Sequence, residues 1–209
     1  MKQKLNLNTW NRKAHYDFFS KMDEPFFGVT TQIDCTIAYN KAKILGIPFF
    51  SYYLHKTLVA VNTIENFRYR IVDGEVYIFD YIDASTTVLR DDTTFGFSLI
   101  NYHIDLAVFS QNALLEVNRV KAASGLFTRD FPVINLIHLS VLPWVDFTSF
   151  SHARKFDFND SCPKITFGKM IDIDGKKTMP MSVQVHHALI DGYHLGEFVS
   201  LFQELMNVA

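Results

Sequence analysis

The chain has only two cysteines, Cys35 and Cys162, in 209 residues. Two thiols do not make a disulfide framework, and they suit a reducing environment. Long apolar runs are missing too. No stretch approaches the roughly 20 apolar residues of a membrane span. The N-terminal "MKQKLNLNTWNRK" lacks the apolar core of a secretory signal. There is no basic run and no basic-aromatic face, and the net charge is -2, which argues against nucleic acid as a partner. Neither Cys-x-x-Cys nor His-Glu-x-x-His occurs, so the tight zinc signatures are absent. No repeat, low-complexity stretch or linker interrupts the chain. The expectation is a soluble, cytoplasmic protein with one domain over residues 1–209 and no membrane association.

What is present is a large apolar fraction. Hydrophobic residues make up 48% of the chain and aromatics 15%, with 20 phenylalanines. That suits a substantial core, an aromatic-lined pocket, or both. Helical periodicity marks "NTWNRKAHYDFFSKM", capped by Asn8 or Thr9, with Trp10, Ala14, Phe18 and Met22 on one stripe. "FFGVTTQIDCT" reads as a strand, and "IAYNKAKILG" as a short helix ended by Gly46. Pro48 opens a longer helix toward Phe67. Asp73-Gly74 and Asp174-Gly175 each mark a hairpin. "STTVLRDDTTFGFSLIN" continues the sheet, "DLAVFSQNALLEVNRVKAA" returns to helical period, and "FPVINLIHLSVLPWVDFTSFS" is a strand that bends or ends at Pro143. The last helix, "GYHLGEFVSLFQELMNVA", sets Leu195, Phe198, Val199, Phe202, Leu205 and Met206 on one face. Hairpins mixed with helices predict an α+β fold with an antiparallel or mixed sheet.

The chemistry concentrates in "QVHHALIDGYH", Gln184 to His194. Strand alternation along "MSVQVHH" puts His187 on the apolar face with Met181, Val183 and Val185, and His186 on the polar face. Neighbouring histidines on opposite faces rarely share an ion, so no metal is expected. His187 is then either a core histidine satisfied by backbone groups or a general base whose tautomer is held by burial. Asp191 directly precedes the last helix, where aspartate is a favoured cap. If buried there, its carboxylate needs a cation partner, an arginine elsewhere in the chain.

His187-x-x-x-Asp191-Gly192 resembles a motif shared by coenzyme-A-linked acyltransferases. "TWNRKAHYDFF", "SVLPWVDFTSF" and "MPMSVQVHHALIDGYHLGEFVSLFQELMN" then resemble, in order and over the whole length, the chloramphenicol acetyltransferases of type A. The resemblance implies an α+β coenzyme-A-dependent acyltransferase fold, assembled as a homotrimer with active sites at subunit interfaces. It implies acetyl-CoA as co-substrate, a small-molecule acceptor, and direct O-acetylation of the primary hydroxyl of chloramphenicol. His187 matches the general base and Ser140 the serine that hydrogen-bonds the oxyanion. Asp191 matches a structural aspartate and Arg12 its partner on the first helix. Thr166 matches a threonine that holds a water near the intermediate. Trp144 and Lys169 fall in the coenzyme A region. Phe18, Phe27 and Phe95 fall where the family lines its acceptor pocket.

Four positions depart from the family pattern. Phe19 replaces a pocket tyrosine, Phe97 a small alanine and His138 an asparagine. Met170 stands where an aromatic can stack on adenine. These changes leave two alternatives: the same chemistry on another hydroxylated acceptor, or a non-catalytic trimer that binds a hydrophobic ligand.

Overall fold

The computed structural model describes residues 1–130, 134–154 and 160–208. Its elements run β1 (Lys2–Lys4), α1 (Lys13–Phe19), β2 (Phe26–Asp34), α2 (Thr36–Ile44) and α3 (Phe49–Thr63). A 3-10 turn follows at Glu65–Arg68. Then come β3 (Tyr69–Val72), β4 (Glu75–Phe79), β5 (Asp83–Leu89), β6 (Phe95–Ile100) and α4 (Leu106–Ala122). The chain closes with β7 (Leu136–Val141), β8 (Lys164–Phe167), β9 (Ile171–Ile173), β10 (Lys176–His186) and α5 (Gly192–Met206).

This is an α+β fold with two sheets. The larger has the order β2-β10-β8-β7-β5-β6, with β9 pairing β10 off that path. It is mixed: β7 runs parallel to both β5 and β8, and the other pairs are antiparallel. The smaller sheet, β1-β4-β3, is antiparallel. The two aspartate-glycine hairpins form as expected. Asp73 and Gly74 have φ of 51° and 75°, and Asp174 and Gly175 have 51° and 84°, the left-handed pair a tight two-residue turn requires. Gly46, at φ 66°, follows the end of α2.

Helices α3 and α5 pack on each other, and α4 on α3 and β6. From α5, Leu195, Phe198, Phe202 and Met206 are buried, while Val199 and Leu205 lie at the margin of the same face. Among the described residues no single helix is long and apolar enough to cross a membrane; α2 and α3 together reach that length but meet at 118°.

The N-terminal region differs from expectation. The helix starts at Lys13, not at Asn8 or Thr9, and Arg12 at its head makes no side-chain cap. Before it, the amides of Thr9, Trp10 and Lys13 each bond the carbonyl three residues back, a run of turns. The buried face is also not the stripe from Trp10 to Met22. Ala14, Phe18 and Met22 are exposed, and Arg12 and Tyr16 are buried instead. The reason is tertiary. Arg12 pairs with Asp191, the Tyr16 hydroxyl donates to the Gly74 carbonyl at 2.7 Å, and Trp10 packs edge-on against Tyr69 at 5.4 Å. A short helix with those three anchors must turn polar tips inward.

Candidate active site

Strand β10, the longest among the described residues, lies between β2 and β8 and leads into the turn that holds His187. Its apolar residues Met181, Val183 and Val185 are completely buried. The strand ends at His186. His187 sits in the turn beyond it, so alternation no longer assigns its face. The histidine burial is the reverse of the strand-based expectation: His186 is buried, at 6% exposure, and His187 is half-buried. His186 packs edge-on against Phe26 at 5.4 Å, and its Nδ1 accepts the Ala188 amide at 3.2 Å.

Around His187 the setting is aromatic. Phe19 from α1 stacks on the imidazole at 3.8 Å, with the planes 11° apart, and Phe27 from β2 lies 4.4 Å away. The backbone is held on both sides. The His187 amide donates to the Pro25 carbonyl at 2.8 Å, and the His187 carbonyl accepts from Arg12 at 3.4 Å. The buried Nδ1 has no hydrogen-bond partner among the described residues, so stacking restrains the ring.

Arg12 also forms a hydrogen-bonded ion pair with Asp191. Asp191 caps α5 by accepting the Tyr193 amide at 3.1 Å. His194 completes a reciprocal capping box, its Nδ1 lying 3.3 Å from the Asp191 amide and 2.8 Å from the carboxylate. Burial alone pushes the Asp191 carboxyl up, but the bond from Arg12 and the nearby His194 outweigh it and hold it below its ordinary value. The capping role of His194 was missed in the sequence, although its position three residues after Asp191 is the capping-box spacing.

Ser140 lies in a second group. It is level with Thr166 on β8, which is level with Ser182 on β10, so the three hydroxyls form one row on one sheet face. Ser182 and His187 are five positions apart, at most about 16 Å of extended chain, and β7 with Ser140 lies two strands from β10. Ser140 opens into a cavity of about 500 Å³, shared with Phe97, Phe127, His138, His152, Arg154, Asp160 and Lys164. Lys164 is 5% exposed; its ammonium pairs with Asp160, donates to the Cys162 carbonyl at 3.2 Å and lies 4.5 Å from the Phe26 ring centroid. Burial would raise the Asp160 carboxyl, but the Lys164 charge holds it low. His152 bonds Thr166, with Nε2 and Oγ1 2.9 Å apart. His138 and His152 are each pushed down to about 4, first by burial and then by the Lys164 charge. Arg154 pairs with Glu24 across the molecule. The Lys164–Asp160 pair is local, four positions apart, but it lies outside any helix whose period would mark it; the Arg154–Glu24 pair joins distant segments and left no sequence signal.

His138, Asp160 and Cys162 bring three potential ligand atoms within 4.8 Å of one another. The ammonium of Lys164 already occupies Asp160, which makes this a poor setting for a dication.

Trp144, 67% exposed, lines a second cavity of about 570 Å³ with Phe49, Tyr53, Lys121 and Met170. Thr87 lines both this cavity and that of Ser140. Lys169 is exposed and is placed by its amide, which bonds the Val145 carbonyl at 2.8 Å. The five phenylalanines separate. Phe19 and Phe27 contact His187, and Phe18 packs on Phe19 while remaining 60% exposed. Phe95 and Phe97 pack together at 5.5 Å on β6, the far edge of the sheet from β2.

An α+β domain with a mixed sheet and a histidine held at the end of a central strand, with its own arginine-aspartate clamp, is the architecture of acyltransferases that work on coenzyme A thioesters. The family model described as chloramphenicol acetyltransferase matches residues 2–203, and the chain belongs to that family. Chloramphenicol acetyltransferase 3 of Escherichia coli is 32% identical over 206 residues, covering 98% of this chain and 96% of that protein. The chloramphenicol acetyltransferase of Proteus mirabilis is 29% identical, over 96% and 92% of the two chains. A solved chloramphenicol acetyltransferase superposes with a TM-score of 0.87 at 31% identity, over 99% of this chain and all of that one. The dihydrolipoamide acetyltransferase of Azotobacter vinelandii shares the fold, at a TM-score of 0.67 and 12% identity over 93% and 86% of the chains.

Proposed function

We propose that the protein transfers the acetyl group of acetyl-CoA to the primary hydroxyl of chloramphenicol, with His187 as general base. The observation that carries the chemistry is the clamped imidazole. Its ring is stacked on Phe19, and its backbone is tied to Pro25 and Arg12. A base positioned this firmly takes the hydroxyl proton at little orientational cost. The alkoxide attacks the thioester carbonyl directly. Ser140 donates to the developing oxyanion, and the proton held on His187 returns to the departing thiolate of CoA. Asp191 and Arg12 position His187 through the turn. Thr166 assists beside Ser140 by holding a water. No step in this route uses a metal, and activity is expected to survive chelators.

Trp144 and Lys169 would hold coenzyme A. The exposed indole and the neighbouring apolar cavity suit its adenine and pantetheine portions, and the ammonium suits its phosphates. Because Thr87 borders both cavities, a thioester in one could meet an acceptor hydroxyl in the other. Phe18, Phe19, Phe27, Phe95 and Phe97 are proposed to line the acceptor site.

His187 is not among the described residues that line the Ser140 cavity, and Ser140 stands on β7, two strands from β10, so a single copy does not bring base and oxyanion donor together. That separation supports a homotrimer in which His187 of one subunit faces Ser140 of the next. The exposure of Phe18 and Phe95, at 60% and 44%, fits surfaces that association would cover. We also propose a single domain over residues 1–209 and a cytoplasmic location.

The test is release of CoA thiol from acetyl-CoA, with and without chloramphenicol, by the parent and by His187→Ala. Chloramphenicol-dependent release that the substitution abolishes supports the reading. No release from a parent that binds CoA removes chloramphenicol as acceptor. Phe19 beside His187 and Phe97 in the Ser140 cavity then favour a second reading: the same chemistry on another hydroxylated small molecule.

A further inference from the structure

We propose that His152 is a positioning residue that sets the direction of the Thr166 hydroxyl. This rests on the reading above, in which Thr166 acts beside Ser140. Thr166 is completely buried, and its one side-chain hydrogen bond among the described residues is to Nε2 of His152, at 2.9 Å. The imidazole also lines the Ser140 cavity. It therefore touches both the buried hydroxyl and the cavity that Ser140 lines.

A threonine hydroxyl has one proton to give. If Nε2 of His152 accepted it, Thr166 would keep only lone pairs for a group beside Ser140, its neighbour in register, and could not assist an anion. If Nε2–H donates instead, the Thr166 oxygen accepts and its own proton is free for a water or oxyanion beside Ser140. Only the second arrangement serves the reaction, so the geometry points to a neutral His152 carrying its proton on Nε2. The surroundings keep the ring neutral. Burial pushes it down to about 4, and the charges of Lys164 and Arg154 act in the same direction. Phe150 packs edge-on against the ring at 4.8 Å and limits its rotation.

Two measurements on the whole protein test this. The first uses the imidazole ¹⁵N shifts of His152 and needs no turnover. The expected result is protonation on Nε2, with a shift when Thr166→Val is introduced. Protonation on Nδ1, or no response to Thr166→Val, overturns the proposal even in an active enzyme. The second is a kinetic cycle of CoA release with chloramphenicol. His152→Leu should lower kcat roughly tenfold, less than the hundredfold or more that loss of an oxyanion donor costs, with the KM for acetyl-CoA unchanged. His152→Gln, whose amide can donate the same bond, should recover most of that loss. The double variant His152→Leu with Thr166→Val should be no slower than Thr166→Val alone. Penalties that multiply, or a His152→Leu variant within twofold of the parent, overturn the proposal. A parent with the Nε2–H signature but no chloramphenicol turnover upholds the contact and removes only the acceptor.

Discussion

The two ends of the candidate site are built on different physics. At His187 the surroundings are aromatic rings, and the restraint is stacking plus two backbone hydrogen bonds. At Ser140 a buried ion pair, two histidines and an arginine join Phe97 and Phe127, and hydrogen bonds tie Lys164 to Asp160 and His152 to the neighbouring Thr166. The first arrangement suits a group that must accept a proton without being pinned by one. The second suits a place where negative charge develops, since donors fixed beforehand need not reorganise. Separating them also lets the acceptor end vary. Phe97 and His138 stand in the Ser140 group, and among the departures only Phe19 touches His187.

The largest expected effect breaks the comparison at its first half. His187→Ala should lower chloramphenicol-dependent CoA release by about a thousandfold or more, within the range of lost base catalysis, while the fold survives. A thiol assay with a circular dichroism control checks this, and retention of a tenth of the activity would remove His187 as base. At the other half, Ser140→Ala should cost about a hundredfold to a thousandfold in kcat. An unchanged KM for acetyl-CoA is expected, and a loss confined to KM would instead make Ser140 a binding residue.

Mixing sharpens the comparison. Refolding the His187→Ala and Ser140→Ala chains together should recover activity that neither has alone, because a hybrid interface can pair an intact His187 with an intact Ser140. A mixture no more active than its components would place both residues of each site in one subunit.

The clamp gives a smaller effect. Arg12→Met leaves Asp191 with only its helix-cap contacts, and should destabilise by about 2–3 kcal/mol, below the range for fully buried pairs because Asp191 is partly exposed. Urea unfolding measures it, and a silent substitution would mean that the pair holds no buried charge. The smallest effect is acid sensitivity. His186 is pushed down to about 4, mainly by burial, with the charges of Lys164 and Arg154 adding to it against Asp160. Its folded pKa lies below its unfolded one, so the unfolded chain binds more protons between those values. Stability should therefore fall as pH drops below the unfolded value, by about 1 kcal/mol near pH 5.5 from His186 alone. His138 and His152 add in the same direction. Melting curves across that range in His186→Gln, which should flatten the dependence, provide the check.

The legible part of the fold was local. The aspartate-glycine turns demanded left-handed backbone, and the period of the last helix matched its buried face. The start and buried face of α1 were not legible, because they follow from contacts with Asp191, Gly74 and Tyr69, 58 or more positions away in the chain. For the same reason strand alternation misassigned the two histidines. It has no means of showing that β10 stops at His186, where the chain must turn toward α5.

By itself the sequence determined the types of element, their order, the family resemblance and the residues that can do chemistry. These depend on side-chain identity and on spacing within about a dozen residues. Only the tertiary structure decided how those residues are grouped: Phe19 and Phe27 around His187, His152 over Thr166, and Lys164 with Asp160 beside Ser140. Contacts between distant segments are set by the packing of strands and helices, and no local pattern records them.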